Sequence, residues 1–150
     1  MNDRTKLIFP PCYPRLTERE GQTMVWDELR RKWLVLTPEE WVRRHLVEFL
    51  ISHCKVAITN IIEEYPINLN SMAQRADVVV MGRDAQPLLL AECKAADINI
   101  EDEKIFYQAT RYNAILGAKY ILLTNGLKHL CYQKSAEGYV RCQRLPILGE

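Results

Sequence analysis

Asp77 stands at the head of one apolar run, Val78-Val79-Val80-Met81, and Glu92 and Lys94 close a second, Leu88-Leu89-Leu90-Ala91. Runs of this kind form buried strands, and charge on a buried strand is costly unless it is paired or used. Glu92 and Lys94 lie two apart, so their side chains share one face of the strand. The short polar turn from Gly82 to Pro87 makes the two runs an antiparallel hairpin, whose register can bring Asp77 beside Glu92. Two carboxylates at one point repel each other and suit a hard divalent cation, Mg²⁺ or Mn²⁺. Such an ion polarises a phosphate and lowers the pKa of a bound water, and Lys94 can stabilise the charge that develops on phosphorus. The combination fits hydrolysis of a phosphodiester. An E-x-K pair alone is a common surface feature; its place at the end of an apolar strand, with Asp77 upstream, distinguishes this one.

The flanking segments must hold that hairpin in place. Thr37-Pro38-Glu39-Glu40 is a helix start in which Thr37 caps, Pro38 fits the first turn and Glu40 completes a capping box. Val42, Leu46, Phe49, Leu50 and His53 follow at helical spacing, with Arg43 and Arg44 off the apolar stripe and Glu48 on a flank with Trp41, His45 and Ser52. A strand is expected over residues 61–69, with Pro66 marking an edge or bend. Glu101-Asp102-Glu103 opens a second helix that Gly117 ends. The continuous run Lys119–Thr124 suits a strand covered on both faces, parallel to the one carrying Glu92. Asn125-Gly126 is a turn, and strands follow at His129–Tyr132 and Tyr139–Cys142. The order predicts an α/β sandwich, a mixed sheet of about four or five strands with a helix on each side. Residues 1–36 form an irregular lead-in with one strand at Thr23–Trp26, and residues 37–145 form the core of a single domain spanning 1–150. The basic run Arg30-Arg31-Lys32 is either solvated surface or a contact to a phosphate backbone.

Composition narrows the classes. The chain has 150 residues, 48% hydrophobic and 26% charged, with a formal net charge of +1, as a soluble domain would. No apolar run reaches the roughly 18 residues of a membrane span, and the N-terminus lacks the apolar stretch of a signal peptide, so a cytoplasmic location is expected. Five cysteines, none at C-x-x-C spacing, argue for reduced thiols over disulfides or zinc. His45 and His53 fall on the first helix and His129 on a late strand, and the three form no ligand cluster.

Asp77 followed by Glu92-Cys93-Lys94 on the next strand resembles the PD-(D/E)XK nuclease motif, with Ala76 where proline is usual. Gln108-Ala109-Thr110-Arg111-Tyr112 is similar to the QxxxY pattern of its exonuclease-like branches. Leu36-Thr37-Pro38-Glu39-Glu40-Trp41-Val42-Arg43, Pro87-Leu88-Leu89-Leu90-Ala91-Glu92-Cys93-Lys94-Ala95 and Leu122-Leu123-Thr124-Asn125-Gly126 resemble the N-terminal nuclease domain of type I restriction enzyme R subunits, in a small stand-alone form covering roughly residues 7 to 145. The resemblance implies a restriction-endonuclease-like fold and a Mg²⁺- or Mn²⁺-dependent endonuclease acting on DNA. Asp77, Glu92 and the Cys93 carbonyl would hold the metal, with Glu48 as a further helical acid. Lys94 would be the catalytic lysine, and Gln108 and Tyr112 would line the site and place DNA. Arg75 either pairs with an acid or contacts phosphate. Restriction–modification subunits, or a second copy in a homodimer, are the expected protein partners. Without a P-loop lysine motif, no ATP-driven translocase is expected in this chain. The alternative is a catalytically silent DNA-binding or protein-interaction module on the same fold, in which the acids pair with Lys94 or Arg75, Gln108 flanks a buried Tyr112, and Glu48 pairs with Arg44 or Lys55.

Overall fold

The computed structural model describes residues 4–146 and 148. A three-stranded antiparallel sheet comes first: β1 (Leu16–Arg19), β2 (Gln22–Asp27) and β3 (Lys32–Val35). Helix α1 (Pro38–Ser52) follows, then β4 (Ile61–Leu69), β5 (Met72–Met81), β6 (Pro87–Cys93), helix α2 (Glu103–Leu116), β7 (Tyr120–Thr124), β8 (His129–Ser135) and β9 (Gly138–Arg141). These last six strands form one sheet in the order β4-β5-β6-β7-β8-β9, antiparallel except for the parallel β6–β7 pair that α2 connects. The α/β class and the parallel crossover are as expected, but the main sheet has six strands. The N-terminal lead-in is a sheet of its own, made of strands of four to six residues too short to show a clear alternation.

The two helices cover opposite faces of the main sheet. Alternation along the central strands turns Val78, Val80, Leu89, Ala91 and Leu122 toward α1, where Val42, Leu46 and Leu50 have no exposed surface. It turns Val79, Leu90, Ile121 and Leu123 toward Ala109 and Tyr112 of α2. Each fully buried aliphatic side chain contributes about 1.5–3 kcal/mol of transfer free energy. Thr37 caps α1, its hydroxyl accepting from the Glu40 N–H at 3.0 Å, whereas the Glu40 carboxylate is turned away toward two arginines. The capping box is therefore only half made. Gly117 ends α2 with a φ of 77°, a conformation glycine adopts without strain.

Arg43 and Arg44 are not on a solvated flank. They are 7% and 6% exposed and form the centre of a buried ion-pair network. Arg44 pairs with Asp27 at 2.8 Å, Glu40 at 3.0 Å and Glu63. Arg43 pairs with Glu40 at 2.5 Å, Glu63 at 3.4 Å and Glu64 at 2.6 Å. Arg30, expected at the surface or on phosphate, instead pairs with Asp27 at 2.6 Å. Planar guanidiniums meet several carboxylates at once, which is how arginine tolerates burial. The network joins the small sheet, α1 and the edge strand β4. Burial pushes Asp27 and Glu40 toward the neutral acid, but the guanidiniums of Arg44 and Arg30 around the first, and of Arg43 and Arg44 around the second, outweigh it and hold both carboxyls below their ordinary range.

Removing one member leaves its partners charged and buried. Arg44→Ala should therefore lose about 3–5 kcal/mol of stability in urea unfolding at pH 7. Because the folded-state pKa values of Asp27 and Glu40 are depressed, their contribution is complete above the free values of 3.8 and 4.5 and is lost as pH falls through the lower folded values. The stability gap between wild type and Arg44→Ala should narrow on that acid limb; a gap constant down to the acid transition would count against the network.

Candidate active site

The β5–β6 hairpin sets Val78 opposite Ala91, and one further step of that register places Asp77 beside Glu92. Asp77 Oδ2 accepts the Cys93 N–H at 2.7 Å, so its carboxylate is tied to the neighbouring strand. On its other side, the β4–β5 ladder passes from the Glu63–Val78 pair to Tyr65–Ala76. The intervening Glu64 has a φ of 55°, and Arg43 Nη1 reaches both the Glu64 carboxylate and, at 3.5 Å, the Asp77 carbonyl. Below this irregularity Ala76 packs on the α2 side, whereas Val78 packs on the α1 side. A local break of this kind re-aims a side chain, and here the residue at the break is Asp77.

Glu92 is 7% exposed and its Oε1 is buried with no hydrogen-bond partner. Burial, then the charge of Asp77 within hydrogen-bonding reach, pushes its pKa up to about 10, with Lys94 opposing. Lys94 lies one residue past the end of β6, anchored by its N–H to the Thr124 carbonyl at 2.8 Å.

The α1 carboxylate that faces this cluster is Glu39, not Glu48. Crowding by surrounding protein and then the Asp77 carboxylate raise the Glu39 pKa, while Lys94 and Arg43 lower it. Glu48 accepts from Ser52 at 2.6 Å and borders a groove with Cys12 and Arg15. Nine residues at about 100° each set the two acids on opposite sides of the helix. The sequence cue for Glu39 is its place in the first turn, two residues after the cap.

From α2, Gln108 Nε2 donates to the Tyr112 hydroxyl at 2.9 Å, and that hydroxyl donates to Gln74 Oε1 of β5 at 3.3 Å. Burial and then the charge of Glu92 raise the Tyr112 pKa, with a smaller effect from Asp77, which sets the phenol on the carboxylate side. Gln74 is an addition to the expected set; nothing in its sequence surroundings marks it. Arg75 is exposed on β5 opposite Pro66, and among the described residues no carboxylate pairs with it.

Among the described residues, no group of three His, Cys, Asp or Glu side chains is gathered closely enough to hold a metal ion. The donor set is thus two adjacent carboxylates, one with an orphaned buried oxygen, beside a strand-end backbone. That suits an ion such as Mg²⁺, which binds through one or two carboxylates and keeps several waters.

A mixed sheet between two helices, with two acids and a lysine at the end of its central hairpin, defines an α/β domain with an acid-centred site. The chain belongs to the family of the type I restriction enzyme R protein N terminus, whose family model matches residues 38–146. Among curated proteins none matches. A solved fragment of a protein assigned as the HsdR subunit of a type I restriction enzyme from Vibrio vulnificus YJ016 is similar at 24% identity and a TM-score of 0.45. The similarity covers 57% of this chain and 18% of that one. No helix among the described residues is long and apolar enough to cross a membrane.

Since the folded-state pKa of Glu92 lies above its free value of 4.5, the group favours folding most below 4.5 and penalises it increasingly as pH rises toward about 10. In metal-free buffer, Glu92→Gln should therefore raise stability by about 1–3 kcal/mol at pH 7.5, since the amide is neutral without the proton that the buried carboxyl must take up on folding. The gain should vanish near pH 4.5. Urea unfolding at the two pH values measures both, and a loss at pH 7.5 would contradict the placement.

Proposed function

We propose that this chain is a metal-dependent nuclease module of the PD-(D/E)XK type, hydrolysing DNA phosphodiester bonds in a role like that of a type I restriction R subunit. One observation carries the proposal: Glu92, buried with an unpartnered oxygen, is held against Asp77 with Lys94 beside it. Two carboxyls so placed resist carrying a charge each, and a divalent cation is the ligand that would let both ionise.

Asp77 and Glu92 would hold Mg²⁺ or Mn²⁺, with the Cys93 carbonyl as a further ligand. When bound, the ion supplies Lewis acidity to the phosphate and to the attacking water. Lys94 stabilises the charge on the phosphoryl oxygens. Glu39, from the helix side, holds a water at the edge of the cluster. Tyr112, fixed between Gln108 and Gln74, orients the backbone of the strand being cut. DNA and the other subunits of a restriction complex are the partners this role implies.

A plasmid-nicking assay with Mg²⁺ or Mn²⁺ tests the proposal. Lys94→Ala and Glu92→Gln should each lower the rate by about 10²-fold or more, Glu39→Gln should lower it less, and Glu48→Gln should leave it unchanged. Cutting that persists unchanged in Lys94→Ala would sink the mechanism. The melting temperature should rise with Mg²⁺ in the wild type and not in Asp77→Ala, a readout independent of turnover.

A further inference from the structure

The three-stranded sheet lies outside the residues the family model matches, and its two faces differ in chemistry. Directly opposed residues of an antiparallel pair share a face. Leu16, Val25 and Leu34 are opposed in register, and Val25 and Asp27 on that face have no exposed surface; Asp27 points there into the buried arginines. The other face carries Trp26 opposite Trp33, whose rings meet edge to face at 5.3 Å. Arg15 lies over both indoles, at 5.3 and 5.5 Å, Arg19 over Trp33 at 5.5 Å, and Arg31 over Trp26 at 5.8 Å. The remaining strand positions on this face are Thr17, Gln22, Met24 and Val35, none of them acidic. Glu28, in the β2–β3 turn, accepts from the Trp26 indole at 2.7 Å and from Arg31 at 3.3 Å. Among the described residues no carboxylate pairs with Arg15 or Arg19.

Two indoles thus hold three guanidiniums over their rings, and Arg15 and Arg19 remain exposed. A stacked guanidinium has already given up much of its side-chain freedom, so a bidentate bond from its edge to a phosphate costs less ordering. The face is also joined to the candidate site by the chain itself. Val35 precedes Glu39 by four residues, at most about 14 Å of chain, roughly four base steps along a DNA strand.

Resting on the nucleic-acid substrate proposed above, we infer that the outer face of β1–β3 is a phosphate-backbone docking surface. It grips DNA beside the carboxylate site through Arg15, Arg19 and Arg31. It supplies affinity without sequence readout, because backbone contacts carry no base information.

The test is fluorescence anisotropy of the full chain with labelled duplex and single-stranded oligonucleotides in EDTA, where cutting does not intervene. Replacing all three arginines (Arg15→Gln, Arg19→Gln, Arg31→Gln) should weaken binding at least tenfold. It should also flatten the slope of log K against log salt by about 2–3 units, roughly one per lost phosphate contact, with the melting temperature within a few degrees of wild type. If the triple variant unfolds, Arg19→Gln alone, at an exposed strand end, should flatten the slope by about one unit. Unchanged affinity and slope in a folded triple variant overturn the docking surface even if the plasmid is nicked. Arginine-dependent binding without nicking upholds the surface while the nuclease proposal fails. Equal competition by polyglutamate at matched charge would point to an acidic protein and overturn the nucleic-acid assignment.

Discussion

The fold depends on the burial of Arg43 and Arg44. Two adjacent guanidiniums inside a protein of this size can be tolerated only if carboxylates arrive from several directions, and they do: Asp27 from the small sheet, Glu40 from the same helix, Glu63 and Glu64 from the edge strand. Isolated charges would cost several kcal/mol each at this depth. The geometry that avoids the cost fixes how α1 is rotated on the sheet and where the small sheet docks. It also reaches the candidate site, because Arg43 contacts the Asp77 carbonyl at the break in the β4–β5 ladder. The electrostatics of support and of the candidate site thus meet at one residue, which offers its main chain to the first and its carboxylate to the second.

Glu39 and Glu40 show how sharply that division is drawn. They are consecutive, and about 100° of helical rotation separates them. Glu40 turns into the arginines and is held ionised, whereas Glu39 stays open to solvent and responds to Asp77 and Lys94. Glu92 is the opposite of Glu40: buried to the same degree, but beside another carboxylate in place of an arginine, so its proton is retained. Burial alone does not set the behaviour of these acids; the sign of the nearest charge does.

The parts of this architecture that were legible in the sequence are those written in local patterns. The Val78–Met81 and Leu88–Ala91 runs, the Thr37 cap, the Gly117 stop and the continuous run before Thr124 each state their element by composition and spacing. The pairing of Asp77 with Glu92 followed from hairpin register. The network was illegible because Arg43 and Arg44 look like solvent residues until Asp27 and Glu63, 16 or more positions away, are brought to them. For the same reason the rotational phase of α1 was open, and Glu48 was expected on the side where the structure sets Glu39. Of the small sheet only β2 was legible, at Thr23–Trp26; β1 and β3 are too short to alternate visibly, and a cation held over an indole leaves no periodic trace.

The ion-pair network also crosses the edge of the family-matched segment. Asp27 precedes residue 38, while Arg44, its partner, lies within. In terms of sequence change the two positions are physically coupled. A descendant that lost the small sheet would keep a buried cation whose counter-charge had gone, and could persist only by changing Arg44 or recruiting an acid from elsewhere. Covariation between the pre-helix acid and this arginine should therefore mark the lineages that carry the additional sheet and separate them from those that do not.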